Sequence, residues 1–117
     1  SGLIINRPLT APSYMVSKGA VHMMTKALAV EWAKSGVRVN ALAPGYVETQ
    51  KAIDYWNSFP DPAAARANTM ALHPGGRIAS ARKIALAAVF MISDECPFMN
   101  AATLVVDGGL SQLQHPA

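Results

Sequence analysis

The sequence predicts an α/β fold built on a parallel sheet, and three features predict it. A helical segment over about 13–35 feeds at once into an extended apolar segment at 37–43. A short apolar run, Leu3-Ile4-Ile5, precedes that helix. A second helical segment at 80–92 leads into a last extended segment at 103–107. Strand, helix, strand in that order is a βαβ unit, whose strands run parallel with a right-handed crossover.

Each element has a local reason. Leu3-Ile4-Ile5 follows Gly2 and ends at Asn6, ahead of Pro8, so it reads as a very short buried strand. Residues 7–13 hold two prolines and read as a loop. Ser13 is a candidate N-cap, with Tyr14 in the first turn. Val16, Ala20, Met23 or Met24, Ala27 and Leu28 recur at helical spacing and mark the expected apolar stripe. Met23 and Met24 are read as packing residues and His22 as structural or exposed. Lys34 suits a helix C-terminus and Gly36 a stop. Residues 37–43 read as a strand stopped by Pro44-Gly45, with Asn40 expected to hydrogen-bond within the strand or the adjoining loop.

Residues 46–79 are less regular. A helix is expected over 61–72, because Asp61-Pro62 puts proline at a first helical position. His73-Pro74-Gly75-Gly76 breaks it, and His73 reads as a loop residue. Such a stretch is a candidate substrate wall or lid. Tyr55, Trp56 and Phe59 line either a pocket or the inside of the lid itself. Ser80 can cap the next helix, whose apolar face is Ile84, Ala87 or Ala88, and Met91. The last strand closes at Gly108-Gly109.

Composition excludes several classes. Of the 117 residues, 51% are hydrophobic and 15% charged, which argues for a packed core and against disorder. No run of 18 apolar residues exists, so no membrane span is expected. The N-terminus lacks the basic and apolar regions of a signal peptide. The single cysteine, Cys96, forms no internal disulfide and no metal site by itself, and it reads as inert. No metal ligand set is expected, and a reducing, cytoplasmic setting is compatible. The net charge of +3 comes from scattered Lys and Arg, so no nucleic-acid footprint is expected.

Chemistry concentrates at Tyr14 and Lys18. Four residues apart on a helix, they lie one above the other. An ammonium beside a phenol favours the phenolate, which makes a tyrosine usable as a proton donor or acceptor. In an open parallel sheet, ligands bind beyond the carboxyl ends of the strands. The loop at 44–50, PGYVETQ, follows such an end, and the start of the Tyr14 helix shares that edge.

The motifs GLIIN at 2–6, YMVSKGAV at 14–21, VRVNALAPGYVET at 37–49, GGRIA at 75–79 and the closing VDGG at 106–109 occur together in one order. In these the chain resembles the C-terminal half of the short-chain dehydrogenase/reductase family, over almost its whole length. The resemblance implies a Rossmann-like doubly wound parallel sheet in three α/β/α layers. Residues 1–117 would form its catalytic and oligomerisation part, with the dinucleotide-binding half preceding Ser1. It implies an oxidoreductase moving hydride between NAD or NADP and a secondary alcohol or ketone. Tyr14 matches the tyrosine that exchanges a proton with the substrate oxygen. Lys18 matches the lysine that assists it and bonds the nicotinamide ribose. Pro44 and Gly45 match the turn beside the nicotinamide. Val47 matches the position whose backbone pairs with the carboxamide, and Thr49 a hydroxyl near the pyrophosphate. Homo-oligomers, dimers or tetramers, are implied as well.

The chain departs from the family at the catalytic serine. The aligned positions are Pro8 and Leu9, whose side chains donate no hydrogen bond; Thr10 and Ser13 carry hydroxyls at other spacings. A second reading is therefore a catalytically inactive, truncated family member that serves as an assembly or structural module.

Overall fold

Pro12–Glu31 forms a 20-residue helix, α1, and a 3₁₀ turn at Ala33–Ser35 extends it. In this computed structural model the described residues are 12–112. The strand expected at 2–6, the loop after it up to residue 11 and the tail after Gln112 lie outside them. Proline is tolerated in a first helical turn because its missing N–H would have had no partner there. With Pro12 already helical, Ser13 sits inside the turn and not ahead of it, so it is not the cap expected of it. Gly36 ends the segment at φ +75°, and its N–H reaches the Ala33 carbonyl at 3.0 Å. Open space surrounds Gly36, so it is the left-handed backbone that calls for glycine there.

The expected apolar stripe of α1 faces outward. Val16, Met23 and Met24 are 73%, 61% and 53% exposed, while Thr25 and Ala29 are buried. The helix has two faces, one of large apolar side chains and one of small or polar ones. The small face lies against the sheet. His22 Nδ1 is 3.3 Å from Thr103 Oγ1, and Asn100 Nδ2 donates to the Ala29 carbonyl at 3.0 Å. An alanine lets a neighbour approach the helix backbone that closely, which a larger residue would prevent. The Thr25 hydroxyl donates to the Val21 carbonyl at 2.9 Å, so its burial leaves no unpaired donor.

The sheet centres on a parallel pair, β1 at Ala41–Pro44 and β4 at Thr103–Val106. Their register is Ala41 to Thr103 through Pro44 to Val106. The strand expected from residue 37 thus begins its ladder only at Ala41. Opposite residues 37–40 the chain at Ala101 turns through φ +58°, which breaks the regular pairing. One backbone bond survives there, from Ala101 N to the Val39 carbonyl at 2.9 Å, and side chains supply the others. Asn40 donates from Nδ2 to the Met99 carbonyl at 3.0 Å and accepts from Ala102 N at 3.0 Å. Asn100 Oδ1 accepts from Val39 N at 2.9 Å. Arg38 donates to the Met99 and Ser93 carbonyls at 2.9 and 3.1 Å. The Asn40 amide acts as one extra peptide unit in the ladder, the role in the adjoining loop that its position suggested.

A second parallel pair joins β2, Val47–Glu48, to β3, Ala79–Ser80. Between them lie α2, Gln50–Asn57, and α3, Pro62–Ala71. Helix α3 starts as expected: the Asp61 carboxylate accepts from Ala64 N at 3.0 Å and Pro62 opens the helix. Helix α2 falls in the stretch read as irregular. Its Thr49 cap and its Ile53 and Trp56 spacing were present, but eight residues between proline-rich flanks give a weak periodic signal. Helix α4, Ala81–Ile92, is capped by Ser80 as expected and buries Met91. Its Ile84, Ala87 and Ala88 are half-buried on the same face, whereas Leu86, Val89, Phe90 and Ile92 are exposed. Strand β4 ends at Val106, one residue short of the expected range, because Asp107 turns away to bond the loop after it.

Replacing Asn40 with Ala strands the Ala102 N–H in a half-buried loop and takes from the Met99 carbonyl one of its two side-chain bonds, leaving that from Arg38. The expected loss is about 1–3 kcal/mol of stability, read as a lower denaturant midpoint with an unchanged slope. An unchanged midpoint contradicts the ladder-extending role.

Candidate functional site

The direction of α1 brings its start to the ligand edge of the sheet. Ala29 is tied to Asn100, just before β4, and His22 lies beside Thr103, the first residue of β4. Helix and strand are therefore antiparallel. From His22 back to Tyr14 the helix rises about 12 Å. From Thr103 to Val106 the strand advances about 10 Å. Tyr14 accordingly sits at the level where β1 and β4 end, with Lys18 about one helical turn, or about 6 Å, behind it. Both are exposed, with Tyr14 at 43%. The Lys18 ammonium lies over the Tyr14 ring, 5.6 Å from its centroid, within cation–π reach. Ser17 spends its hydroxyl on the Tyr14 carbonyl at 2.7 Å. Ser13, one residue from Tyr14, points about 100° around the helix, so it cannot share a target with the phenol. Thr10, Pro8 and Leu9 lie outside the described residues.

The second half of the edge is the segment from Pro44 to Thr49. Gly45 N donates to the Val106 carbonyl at 3.1 Å and closes the ladder. A Cβ on Gly45 would stand 2.9 Å from the Asp107 carbonyl oxygen and 3.0 Å from His73 Nε2. Glycine is thus demanded on one side of this turn by the protein's own packing. Val47 is half-buried, and its carbonyl accepts from Thr49 N at 2.9 Å. The Thr49 oxygen accepts from Ala52 N at 3.3 Å and caps α2. That bond leaves the hydroxyl proton free to donate outward, beside the unpaired N–H groups of the α2 start. An exposed ammonium, a free hydroxyl and helix-start amides form a donor set that suits ribose hydroxyls and phosphate oxygens. Among the described residues no hydrogen bond joins the Tyr14–Lys18 pair to the 44–49 segment.

Helices α2 and α3 pack on one another beside this edge. Trp56 is buried and donates from Nε1 to Thr69 Oγ1 at 3.0 Å. Arg66 pairs with Glu48 at 2.7 Å and lies 5.8 Å from the Trp56 ring centroid. Trp56 thus belongs to the α2–α3 contact, while Tyr55 and Phe59 stack edge to face at 5.0 Å and remain exposed.

Sequence reasoning passed over two residues here, His73 and Asp107. His73 is buried at the junction of α3 with the ends of β1 and β4. Nothing near it in sequence signals contacts to Tyr46 and Gly108. Asp107 had a signal: an aspartate directly before Gly-Gly is an Asx-turn pattern. Its Oδ1 accepts from Gly109 N at 2.9 Å and its Oδ2 from Ser111 N at 2.8 Å. Partial burial pushes its carboxyl up, but the hydrogen bonds from Ser111 and Gly109 outweigh that and hold it below the ordinary value of 3.8. Among the described residues no three His, Cys, Asp or Glu are grouped to hold a metal ion, and no helix is long and apolar enough to cross a membrane.

Known proteins resemble this chain in sequence and fold. The family described as Enoyl-(Acyl carrier protein) reductase matches residues 5–111. The chain is 47% identical over 109 residues to galactitol 2-dehydrogenase (L-tagatose-forming) of Cereibacter sphaeroides, covering 93% of this chain and 41% of that protein. It is similar to a short chain dehydrogenase family protein of Francisella tularensis, with 32% identity and a TM-score of 0.85 over 96% of this chain and 48% of that one. It is also similar to an Agrobacterium tumefaciens protein described as a putative 2-deoxy-d-gluconate 3-dehydrogenase and solved with NADP. There the identity is 37% and the TM-score 0.81, over 97% of this chain and 44% of that one. The chain therefore spans less than half the length of these relatives, and its α/β elements belong to a Rossmann-like doubly wound sheet.

The Asp107 carboxyl gives a pH signature. Because it is held below its ordinary value in the folded state, the unfolded chain binds that proton more readily. Its stabilisation is present above about pH 4 and disappears as pH falls through the lowered folded value. Asp107→Asn is expected to cost about 1 kcal/mol at neutral pH, the exposure of the site being allowed for. The variant should also lose stability less steeply than the parent below about pH 4, as read by unfolding midpoints across pH. Parallel curves contradict this role.

Proposed function

The chain belongs to the short-chain dehydrogenase/reductase family, and on that membership we propose that the protein transfers hydride between NAD or NADP and a secondary alcohol or ketone. The observation that carries this reading is that Tyr14 lies level with the carboxyl ends of β1 and β4, with the Lys18 ammonium over its ring. That is the edge where an α/β sheet takes its ligands.

Each residue then has a task. Tyr14 Oη holds the substrate oxygen and exchanges a proton with it, giving one in the direction of ketone reduction and taking one in alcohol oxidation. Lys18, with its ammonium over the same ring, bonds the nicotinamide ribose. The Val47 backbone would hold the carboxamide and the Thr49 hydroxyl the pyrophosphate, with the Pro44-Gly45 turn beside the ring. When bound, the nicotinamide supplies or accepts the hydride. Helices α2 and α3 form the substrate wall over residues 46–79, where the exposed Tyr55 and Phe59 offer an apolar surface. The Ser17 hydroxyl, spent on the Tyr14 carbonyl, does not give the substrate oxygen its second hydrogen bond. We place the protein in the cytoplasm as a homo-oligomer. The outward apolar faces of α1 and α4 support the assembly, with Val16, Met23, Val89 and Ile92 exposed.

Those same faces favour a second reading, an inactive assembly module. The two readings separate on the natural protein. Titration with NADH and NADPH, followed by nicotinamide fluorescence, is expected to saturate, and a ketone should then oxidise the bound cofactor. Tyr14→Phe is expected to lower kcat by about 10²–10⁴-fold while leaving nicotinamide affinity nearly unchanged. Retained turnover removes Tyr14 from catalysis, and assembly without cofactor binding supports the second reading.

A further inference from the structure

We propose that His73 is a positioning residue: as its Nδ1–H tautomer it holds the Gly45–Tyr46 peptide and thereby sets the backbone from Pro44 to Val47. The inference rests on reading that segment as the nicotinamide turn.

The tautomer follows from the partners. The His73 side chain is buried, with the residue at 4% exposure, so both ring nitrogens need partners. Nε2 lies 3.3 Å from Tyr46 N, a group that can only donate. Nε2 therefore accepts and carries no proton. Nδ1 lies 3.3 Å from the Thr69 carbonyl, a group that can only accept, so Nδ1 carries the proton. A doubly protonated ring would aim its Nε2–H at the Tyr46 N–H, so the neutral ring is the one that fits.

The ring is also wedged. Its Nε2 stands 3.0 Å from where a Gly45 Cβ would be, and its Cδ2 stands 3.9 Å from the corresponding place on Gly108. The Tyr46 ring meets it edge to face, with centroids 5.7 Å apart. Behind it, Pro74 Cγ lies 3.3 Å from a Cβ position on Gly109. The imidazole thus touches the chain just past the ends of both strands.

His73 is tied in turn to the lid. Thr69 accepts from Trp56 Nε1 through its hydroxyl and from His73 through its carbonyl. Trp56, Thr69, His73 and Tyr46 form one path from the α2–α3 contact to the turn. Motion of α3 at Thr69 is passed to the Tyr46 amide through a single acceptor nitrogen. A packing role alone would need only the bulk of the ring, whereas this role needs the acceptor at Nε2.

The test separates bulk from acceptor and uses the natural protein. His73→Gln places an amide oxygen near the Nε2 position, while His73→Leu keeps apolar bulk and removes the acceptor. Two quantities are read: hydrogen exchange at the Tyr46 amide and NADPH affinity by fluorescence. Leucine is expected to speed Tyr46 exchange and weaken NADPH binding, each by about tenfold, as the loss of one hydrogen bond predicts; glutamine should restore both to within about threefold. Equal behaviour of the two variants overturns the proposal. Ring ¹⁵N shifts of the unsubstituted protein decide independently of whether the leucine variant folds: a proton on Nδ1 supports the proposal and a proton on Nε2 overturns it. If the unsubstituted protein binds neither NADPH nor NADH, the proposed function fails. Tyr46 exchange still judges His73 in that case, because rescue by glutamine supports the positioning role and no rescue overturns it.

Discussion

Parallel pairing of β1 with β4 is the constraint on which the described structure depends. Two four-residue strands, placed side by side, end at the same level. That shared end brings Gly45 against Asp107 and leaves a gap that only a glycine fills. The helix that crosses β4 then delivers Tyr14 to the same level, with Lys18 about one turn behind it, because α1 is pinned to the strand start at Ala29 and His22. A shift of one residue in the register would turn each β4 side chain to the other face of the sheet and part Gly45 from Asp107. The short ladder is reinforced where it is weakest. Beside the left-handed turn at Ala101, the Asn40 and Asn100 amides and the Arg38 guanidinium add to the one backbone bond left there, Ala101 N to the Val39 carbonyl.

Much of this was legible in the sequence because it is local. Asp61-Pro62 and Ser80 mark helix starts through bonds spanning three residues, and both caps form. Gly36 marks a left-handed stop through its own backbone. Tyr14 and Lys18 meet because a helix brings residues four apart together. What stayed illegible depends on contacts distant in sequence. The periodicity of α1 shows which residues are apolar but not which face the sheet takes. The sheet takes the small face because Asn100 must reach the Ala29 carbonyl. His73 gave no sign of its role, since Tyr46 is 27 positions away. The start of β1 was misjudged because the Asn40 amide is inserted into the pairing beside the Ala101 turn and leaves the same apolar pattern in the sequence.

The distribution of apolar residues carries a second lesson. Half of the chain is hydrophobic, yet the buried apolar residues among those described are Ala29, Ala43, Trp56, Met91 and Leu110. Large side chains on α1 and α4 lie in the open, and Phe98 is wholly exposed. Surfaces of that kind are unfavourable in water and are normally covered. They are consistent with the chain spanning less than half the length of its relatives, and with the assembly proposed above. The ligand edge proposed above is separate from these faces. It is polar, it is built from Lys18, Thr49 and backbone amides, and its geometry follows from the β1–β4 pair and the α1 crossing.

On the function proposed above, the start of α1 and the 44–49 segment form one nicotinamide site. Amide chemical-shift mapping of the ¹⁵N-labelled natural protein with NADPH tests it most directly. Shifts concentrated at Tyr14, Lys18, Gly45, Val47 and Thr49 are the predicted result. Shifts that miss those residues and fall instead on the outward faces of α1 and α4, at Met23, Met24, Val89 and Phe90, would contradict it.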